Sequence, residues 1–204
     1  MQFKDKSEVR KYIWDLMFEK KIAIFPLPPH GRIPNFSQAK KACFFIKRLP
    51  EYKDSRCIFC GPDSVLRPLR DLVLSDGKIL AYATPHMREM KMIRPDLSGQ
   101  EKEKINTSIK GLIEKGEKLV EKVQIAVVGS VAVDEFGNRL GKGSGYGDKE
   151  IQYLKEKSLV EKNFKTGTLV HTVQLFGDIS KLSEPHDIPV DFILTQKGLI
   201  FCKR

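Results

Sequence analysis

The 204-residue chain has no apolar run approaching the ~20 residues that a bilayer-spanning helix needs, so no membrane segment is expected. Its amino terminus, MQFKDKSEVRKYIW, lacks the apolar core of a secretory signal and carries the acidic residues that transit peptides avoid, which makes the cytoplasm the default location. Cysteine is sparse. Of the four present, Cys43, Cys57, Cys60 and Cys202, only Cys57 and Cys60 form a C-x-x-C, in SRCIFCGPD. A structural zinc site normally needs a second ligand pair at short spacing, and a redox motif sits at a helix start, whereas RCIFC reads as a short buried strand. Both readings yield to core cysteines. A Walker A loop is also missing, because Gly137 and Gly141 are too close together and Gly143 stands where Ser or Thr should follow the Gly-Lys pair. No G-x-G-x-x-G replaces it.

What is present fits a folded domain. Apolar residues make up 41% and charged residues 30%, and a chain of this length can bury one substantial core, so a single domain over 1–204 is expected. Lys and Arg outnumber Asp and Glu by 36 to 26, giving +10, which favours nucleic acid, a phosphorylated ligand or a polyanionic folate-like substrate without choosing among them. Much of that charge lies in mixed runs such as GQEKEKINTSIKGLIEKGEKLVEK, where both signs alternate along a helix and describe a solvated face.

Helical and strand-like segments alternate. A helix is expected over 7–20, capped by Ser7, with Val9, Ile13, Leu16 and Met17 on one face. The proline-rich FPLPPHGRIP predicts an ordered loop, and a second helix should begin near Asn35. A strand at 57–60, a helix around 65–74, a turn at Ser75-Asp76-Gly77 and a strand at 78–84 follow. A polar helix is expected over 98–118, with strands at 125–133, 168–175 and 191–195. This order predicts a three-layer α/β/α domain with a mostly parallel sheet, whose ligands gather at the carboxyl ends of strands.

The most informative stretch is RLGKGSGYGDKE, residues 139–150. It sets Gly141, Gly143, Gly145 and Gly147 at alternate positions between an apolar run and a helix-like segment. Glycine permits positive φ and close approach of backbone N–H groups, and the helix N-terminus adds partial positive charge. Phosphate fits such a cradle; the competing reading is a flexible hairpin or crossover. Lys6 and Arg10, four residues apart, share one helix face, either reaching a polyphosphate or facing solvent. Asp148 stands where a helix N-cap would. His30, His171 and His186 have no catalytic partner legible in the sequence.

Lys6 and Arg10, GRIPNFSQAKKAC, PLRDLVLSDGKILAYATP, RLGKGSGYGD and VQLFGDISKLSEPHDIPVDFILT, in that order, resemble the 5-formyltetrahydrofolate cyclo-ligases, also called methenyltetrahydrofolate synthetases. The resemblance spans almost the whole chain and extends to the synthetase-domain branch that bears RIPNF. It implies a fold similar to sugar-phosphate isomerases and CoA-transferases, and an ATP- and Mg2+-dependent conversion of 5-formyltetrahydrofolate to the 5,10-methenyl form with release of ADP and phosphate. In that chemistry the formyl oxygen takes the γ-phosphoryl group, the neighbouring nitrogen closes the ring and phosphate leaves, so the protein mainly positions and neutralises charge.

The resemblance also implies roles. Lys6, Arg10 and the loop Arg139, Leu140, Gly141, Lys142, Gly143, Ser144, Gly145, Tyr146 and Gly147 would hold the nucleotide. Asp148 and Asp187 would hold magnesium; their ordinary alternatives are a helix cap and a turn. Replacing Asp148 by Ala is then expected to abolish magnesium-dependent ATP binding and leave the fold intact. Tyr146 would either meet the folate-like ring or pack on the sheet. Where the family has two tyrosines this chain has Tyr146-Gly147, and where the family has a folate-contacting glutamate it has Asp63 in PDSVLRPLR, one methylene shorter. Arg32 and Asn35 of RIPNF would either contact ligand or sit in a loop locked by Ile33, Pro34 and Phe36. A related formyl-pterin is therefore an alternative substrate, and a non-catalytic nucleotide- or RNA-binding protein is the alternative function.

Overall fold

A computed structural model describes residues 3–95 and 106–203. Helix α1, Lys6–Glu19, buries Val9, Ile13 and Met17. Its cap is not Ser7 but Asp5, whose Oδ1 accepts from the Ser7 and Glu8 amides at 2.7 and 2.9 Å. A carboxylate at this position satisfies two free donors and faces the positive end of the helix dipole. The expected helix near Asn35 starts later. Strands β1, Ala23–Ile24, and β2, Asn35–Phe36, pair antiparallel across the proline-rich loop, and α2 spans Ala39–Phe44. Asn35 explains the delay: its Nδ2 donates to the Phe25 carbonyl at 2.9 Å and its Oδ1 accepts from the Phe36 amide, which hold an extended backbone.

After α3, Pro50–Asp54, come β3, Cys57–Cys60; α4, Arg67–Ser75; β4, Ile79–Ala83; and β5, Met90–Ile93. Of the polar helix expected over 98–118, residues 98–105 lie outside the described residues. The remainder is a shorter helix α5, Ile109–Lys115, capped by Ser108, and an edge strand β6, Glu117–Lys118. The helix stops where Tyr82 Oη donates to the Leu112 carbonyl at 2.6 Å, pressed so close to Gly116 that any Cβ there would overlap it.

The strand expected over 125–133 divides into β7, Val123–Gly129, and β8, Ala132–Asp134, with Ser130 at the break sharing a buried 2.7 Å hydrogen bond with Thr168. Next come β9, Arg139–Leu140, and α6, Tyr146–Glu156. The strand expected over 168–175 also divides, into β10, Val160–Leu169, and β11, Leu175–Phe176, because His171 accepts from the Val173 amide and starts a 3-10 turn. Strands β12, Phe192–Thr195, and β13, Gly198–Phe201, complete the chain.

Eight strands form one sheet in the order β13-β12-β10-β7-β3-β4-β5-β6. The five from β12 to β4 run parallel, and both edges are antiparallel. Alternation along the central strands sends Ile58, Leu80, Ile125 and Leu194 to one face under α1, α2 and α4. Phe59, Ala81, Ala126 and Val128 point to the other, under Ile151 and Leu154 of α6. Strands buried on both faces read as continuous apolar runs, which is why CIFC and ILAYA are buried at every position. The expected three-layer α/β/α architecture is the one observed. A small sheet, β11-β8-β9, lies beside it. Among the described residues no helix is long and apolar enough to cross a membrane.

Cys43, Cys57 and Cys60 are buried as free thiols, and Cys202 is partly exposed. Burial pushes Cys57 and Cys60 up to about 12 and Cys43 higher still, so none of the three is a thiolate at neutral pH. Native protein treated with a thiol reagent at pH 8 should label at Cys202 alone, and all four cysteines should react after denaturation. Rapid native labelling of the Cys57–Cys60 pair would reinstate the redox reading.

Candidate active site

The carboxyl ends of three parallel strands open onto one cavity of about 490 Å³, within the range of small-molecule sites. Pro62 and Asp63 follow β3, the segment Thr84 to Met87 follows β4, and Val128 and Gly129 end β7. Two further walls come from elsewhere in the chain. The glycine loop and the start of α6 form one, and Lys6 and Arg10 of α1 close the side beside it. Glu184, His186 and Asp187, ahead of β12, complete the lining near Lys6.

Two loop glycines are required by the backbone, Gly143 at φ +113° and Gly145 at φ +67°. Gly145 is the N-cap of α6, so Asp148 is not the cap but lies in the first helical turn. Its carboxylate is committed elsewhere: Oδ1 accepts from Arg139 Nη2 at 2.7 Å and from the Ile188 amide at 2.9 Å. The Arg139 side chain is 1% exposed. Burial lowers its pKa and the Asp148 charge opposes that. Its guanidinium lies against Gly147, where a Cβ would come within 3.2 Å of Nη1, so the second tyrosine of the family pattern is replaced by space that Arg139 uses. Arg139 Nε is buried with no hydrogen-bond partner.

Arg10 Nε donates to the Gly141 carbonyl at 2.8 Å, pinning the loop to α1. Lys6 donates to Asp187 at 2.7 Å and also pairs with Glu184. Burial alone would lower the Lys6 pKa, but the two carboxylates outweigh it and raise it, while Lys6 draws Asp187 below the usual carboxylate range against its own burial. Glu184, His186 and Asp187 place ligand atoms within 4.8 Å of one another. Lys142, Leu140 and Ser144 also border the cavity.

Asp63, after β3, and Glu150, one turn into α6, also line the cavity. Asp63 sits on a turn held by Arg70, a buried cation of α4 that donates to the carbonyls of Gly61, Asp63 and Thr107 at 2.7, 3.2 and 3.0 Å. Gly129 makes room for the Asp63 carboxyl, since a Cβ there would fall 2.7 Å from Oδ2. Burial raises the Asp63 pKa, with Lys142 opposing. Glu150 is 3% exposed and is pushed up to about 8 by burial and then by the Asp63 charge.

Tyr146 does not pack on the sheet. Its Oη shares a 3.2 Å hydrogen bond with His86 Nδ1, on a turn where His86 and Met87 both hold positive φ. Such backbone costs roughly 1–3 kcal/mol per residue and concentrates at ligand sites. Of RIPNF only Ile33 lines the cavity, while Asn35 bonds Phe25, Arg32 lends its carbonyl to Trp14 Nε1, and Phe36 joins the core. The locked-loop reading of RIPNF is the one that holds. His30 pairs with Asp15, and His171 caps its turn.

The model of the 5-formyltetrahydrofolate cyclo-ligase family matches residues 2–196. The chain belongs to this family. The methenyltetrahydrofolate synthase domain-containing proteins of Homo sapiens and Bos taurus are 36% and 35% identical to it over 208 residues, covering 98% and 96% of this chain. The chain spans about half the length of these curated relatives, 54% and 53%. In structure it is similar to the Aquifex aeolicus 5,10-methenyltetrahydrofolate synthetase, with a TM-score of 0.63 at 24% identity over 98% of this chain and 93% of that one. At that identity the likeness speaks for the fold.

The cyclo-ligase domain also gathers residues that sequence reading passed over. Glu150 carried a signal, since it stands one helical turn before Leu154 on the buried stripe of α6, where a carboxylate is out of place. Glu184 stood in the quoted SEPHD segment beside Asp187. His86 had none, because its position depends on where the β4 strand ends.

The close fit at Gly129 is directly testable. Gly129→Ala should lower unfolding stability by about 1–3 kcal/mol through overpacking against Asp63 and Ile33. Gly141→Ala, whose Cβ meets open space, should stay within about 0.5 kcal/mol of the parent. Denaturant titration of both variants checks the contrast.

Proposed function

We propose that this cavity binds ATP with Mg2+ beside a formylated, folate-like pterin and closes the methenyl ring, as a 5-formyltetrahydrofolate cyclo-ligase. The observation that carries this reading is the juxtaposition of Lys6 and Arg10 with the glycine loop across one cavity at the carboxyl ends of the sheet. Backbone amides at 143–147, the α6 N-terminus and the two cations suit a triphosphate. The acidic wall at Asp63 and Glu150 suits the nitrogen-rich ring of the second substrate.

Asp148 and Asp187 line the cavity with the hard oxygen donors that Mg2+ prefers, and Glu184 and His186 place further ligand atoms within 4.8 Å of that of Asp187, so the residues fit the ion. When bound, the ion neutralises phosphate charge. The residues themselves bind and orient. Lys6, now paired with Asp187 and Glu184, can transfer to phosphate oxygens when a nucleotide enters, freeing those carboxylates. Arg10 keeps the loop against α1, beside the strand ends that open onto the same cavity. Such positioning is the larger part of catalysis in phosphoryl transfer.

This arrangement revises the choice of variant at Asp148. Alanine there would strip Arg139 of its carboxylate, and breaking a buried pair costs about 3–5 kcal/mol, so in Asp148→Ala a loss of binding would be mixed with a loss of stability. Asp148→Asn keeps an acceptor and removes the charge.

Calorimetry should show ATP binding strengthened by Mg2+, with Mg2+ alone binding weakly because the carboxylates are already paired. Asp148→Asn and Asp187→Asn should each weaken Mg2+-ATP binding about tenfold or more, equivalent to about 1.4 kcal/mol, with little change for metal-free ATP. Turnover of ATP and 5-formyltetrahydrofolate should appear as rising near-ultraviolet absorbance. ATP binding without turnover across several formyl-pterins would leave a nucleotide-binding module, and salt-sensitive RNA binding without ATP binding would favour the nucleic-acid alternative.

A further inference from the structure

We propose that Glu150 determines ring specificity, its carboxyl acting with Asp63 to accept N–H donors from the edge of a planar nitrogen heterocycle held in the cavity. The inference rests on the functional reading above and deepens it, since the resemblance implies a ligand contact for Asp63 and assigns nothing to Glu150.

Glu150 is 3% exposed, lines the cavity, and makes no hydrogen bond or ion pair among the described residues. Arg139 gives Nη2 to Asp148, and Arg139 and Lys142 act on the Glu150 carboxyl through their charge without a hydrogen bond to it. The carboxyl oxygens are not sealed off like Arg139 Nε: the residue lines the cavity, so what fills the cavity can complete them. The carboxyl does not stiffen the helix, because Ile151 and Leu154 already anchor α6 to the sheet.

The cavity lining offers two kinds of group. Lys6, Arg10, Lys142 and the loop amides are donors and suit phosphate oxygens. Asp63 and Glu150 offer acceptors. Gly129 is kept clear of a side chain so that Asp63 can occupy its place beside Glu150's wall. A ring carrying an exocyclic amine next to a ring N–H presents the donors that two carboxyl groups can take. Removing such a donor leaves acceptors unpaired, which is how a polar site discriminates most strongly.

The test compares 5-formyltetrahydrofolate with its 2-desamino-2-methyl analogue, both titrated calorimetrically in the presence of Mg2+-ATP. Wild-type protein should prefer the amine by at least about tenfold. Glu150→Leu should lose most of that preference, Glu150→Gln should retain an intermediate share, and both should bind Mg2+-ATP as wild type does. Because the carboxyl is unpaired, Glu150→Leu should also melt no lower than wild type, whereas a structural role predicts a clear fall. Equal discrimination by wild type and both variants overturns the assignment while leaving the cyclo-ligase reading intact. Failure of wild type to bind either pterin, with ATP bound or not, overturns both.

Discussion

The buried ion pair between Arg139 and Asp148 is the interaction on which the rest of the site depends. It joins the last residues before the glycine loop to the first turn of the helix after it, and the same carboxylate oxygen accepts the Ile188 amide, so one contact fixes three segments. Removing a partner from such a pair exposes an uncompensated charge, which makes it more consequential than its net contribution to stability suggests. Gly147 suits this arrangement, because a Cβ there would lie 3.2 Å from Arg139 Nη1 and press on the guanidinium.

Lys6 and Asp187 show the complementary arrangement. Their pair is partly exposed, joins α1 to the segment before β12, and sits beside Glu184. Pairs of this kind are worth less in stability than buried ones and exchange partners at lower cost. The cavity thus contains one pair built to stay and one able to open. Arg10 supports the same division, since its bond to the Gly141 carbonyl holds the loop whatever Lys6 does.

Periodicity made the central sheet and α1 readable, because strands buried on both faces give unbroken apolar runs and the helix repeats Val9, Ile13 and Met17. It failed where side chains met backbone. Asn35 bonding Phe25, His171 starting a turn, and Gly129 ending β7 each stop an element that composition alone would continue. The basic half of the cavity was legible for the opposite reason: cations four apart on a helix and glycines at alternate positions are local patterns. Asp63 came from resemblance, Glu150 was signalled by its place on the buried stripe of α6, and His86 depends on where β4 ends. Asp148 was singled out, but its helix-cap role was wrong, because a glycine at positive φ already begins α6.

The two halves of the cavity constrain each other electrostatically. Five acidic groups, Asp63, Asp148, Glu150, Glu184 and Asp187, share the cavity with four cations, Lys6, Arg10, Arg139 and Lys142. Arg139 with Asp148 and Lys6 with Asp187 cancel as pairs, and Glu184 shares Lys6. What remains is Arg10 and Lys142 with the carboxyls of Asp63 and Glu150, whose pKa values burial raises, Glu150 to about 8, so that at neutral pH Glu150 offers hydrogen-bonding capacity more than negative charge. A polyanion alone would engage the cations and leave those carboxyls unmet. A donor-rich ring alone would do the reverse. Only a ligand set carrying both, or two ligands side by side, satisfies the whole surface, and this makes a two-substrate site a better match to the geometry than a simple phosphate-binding loop.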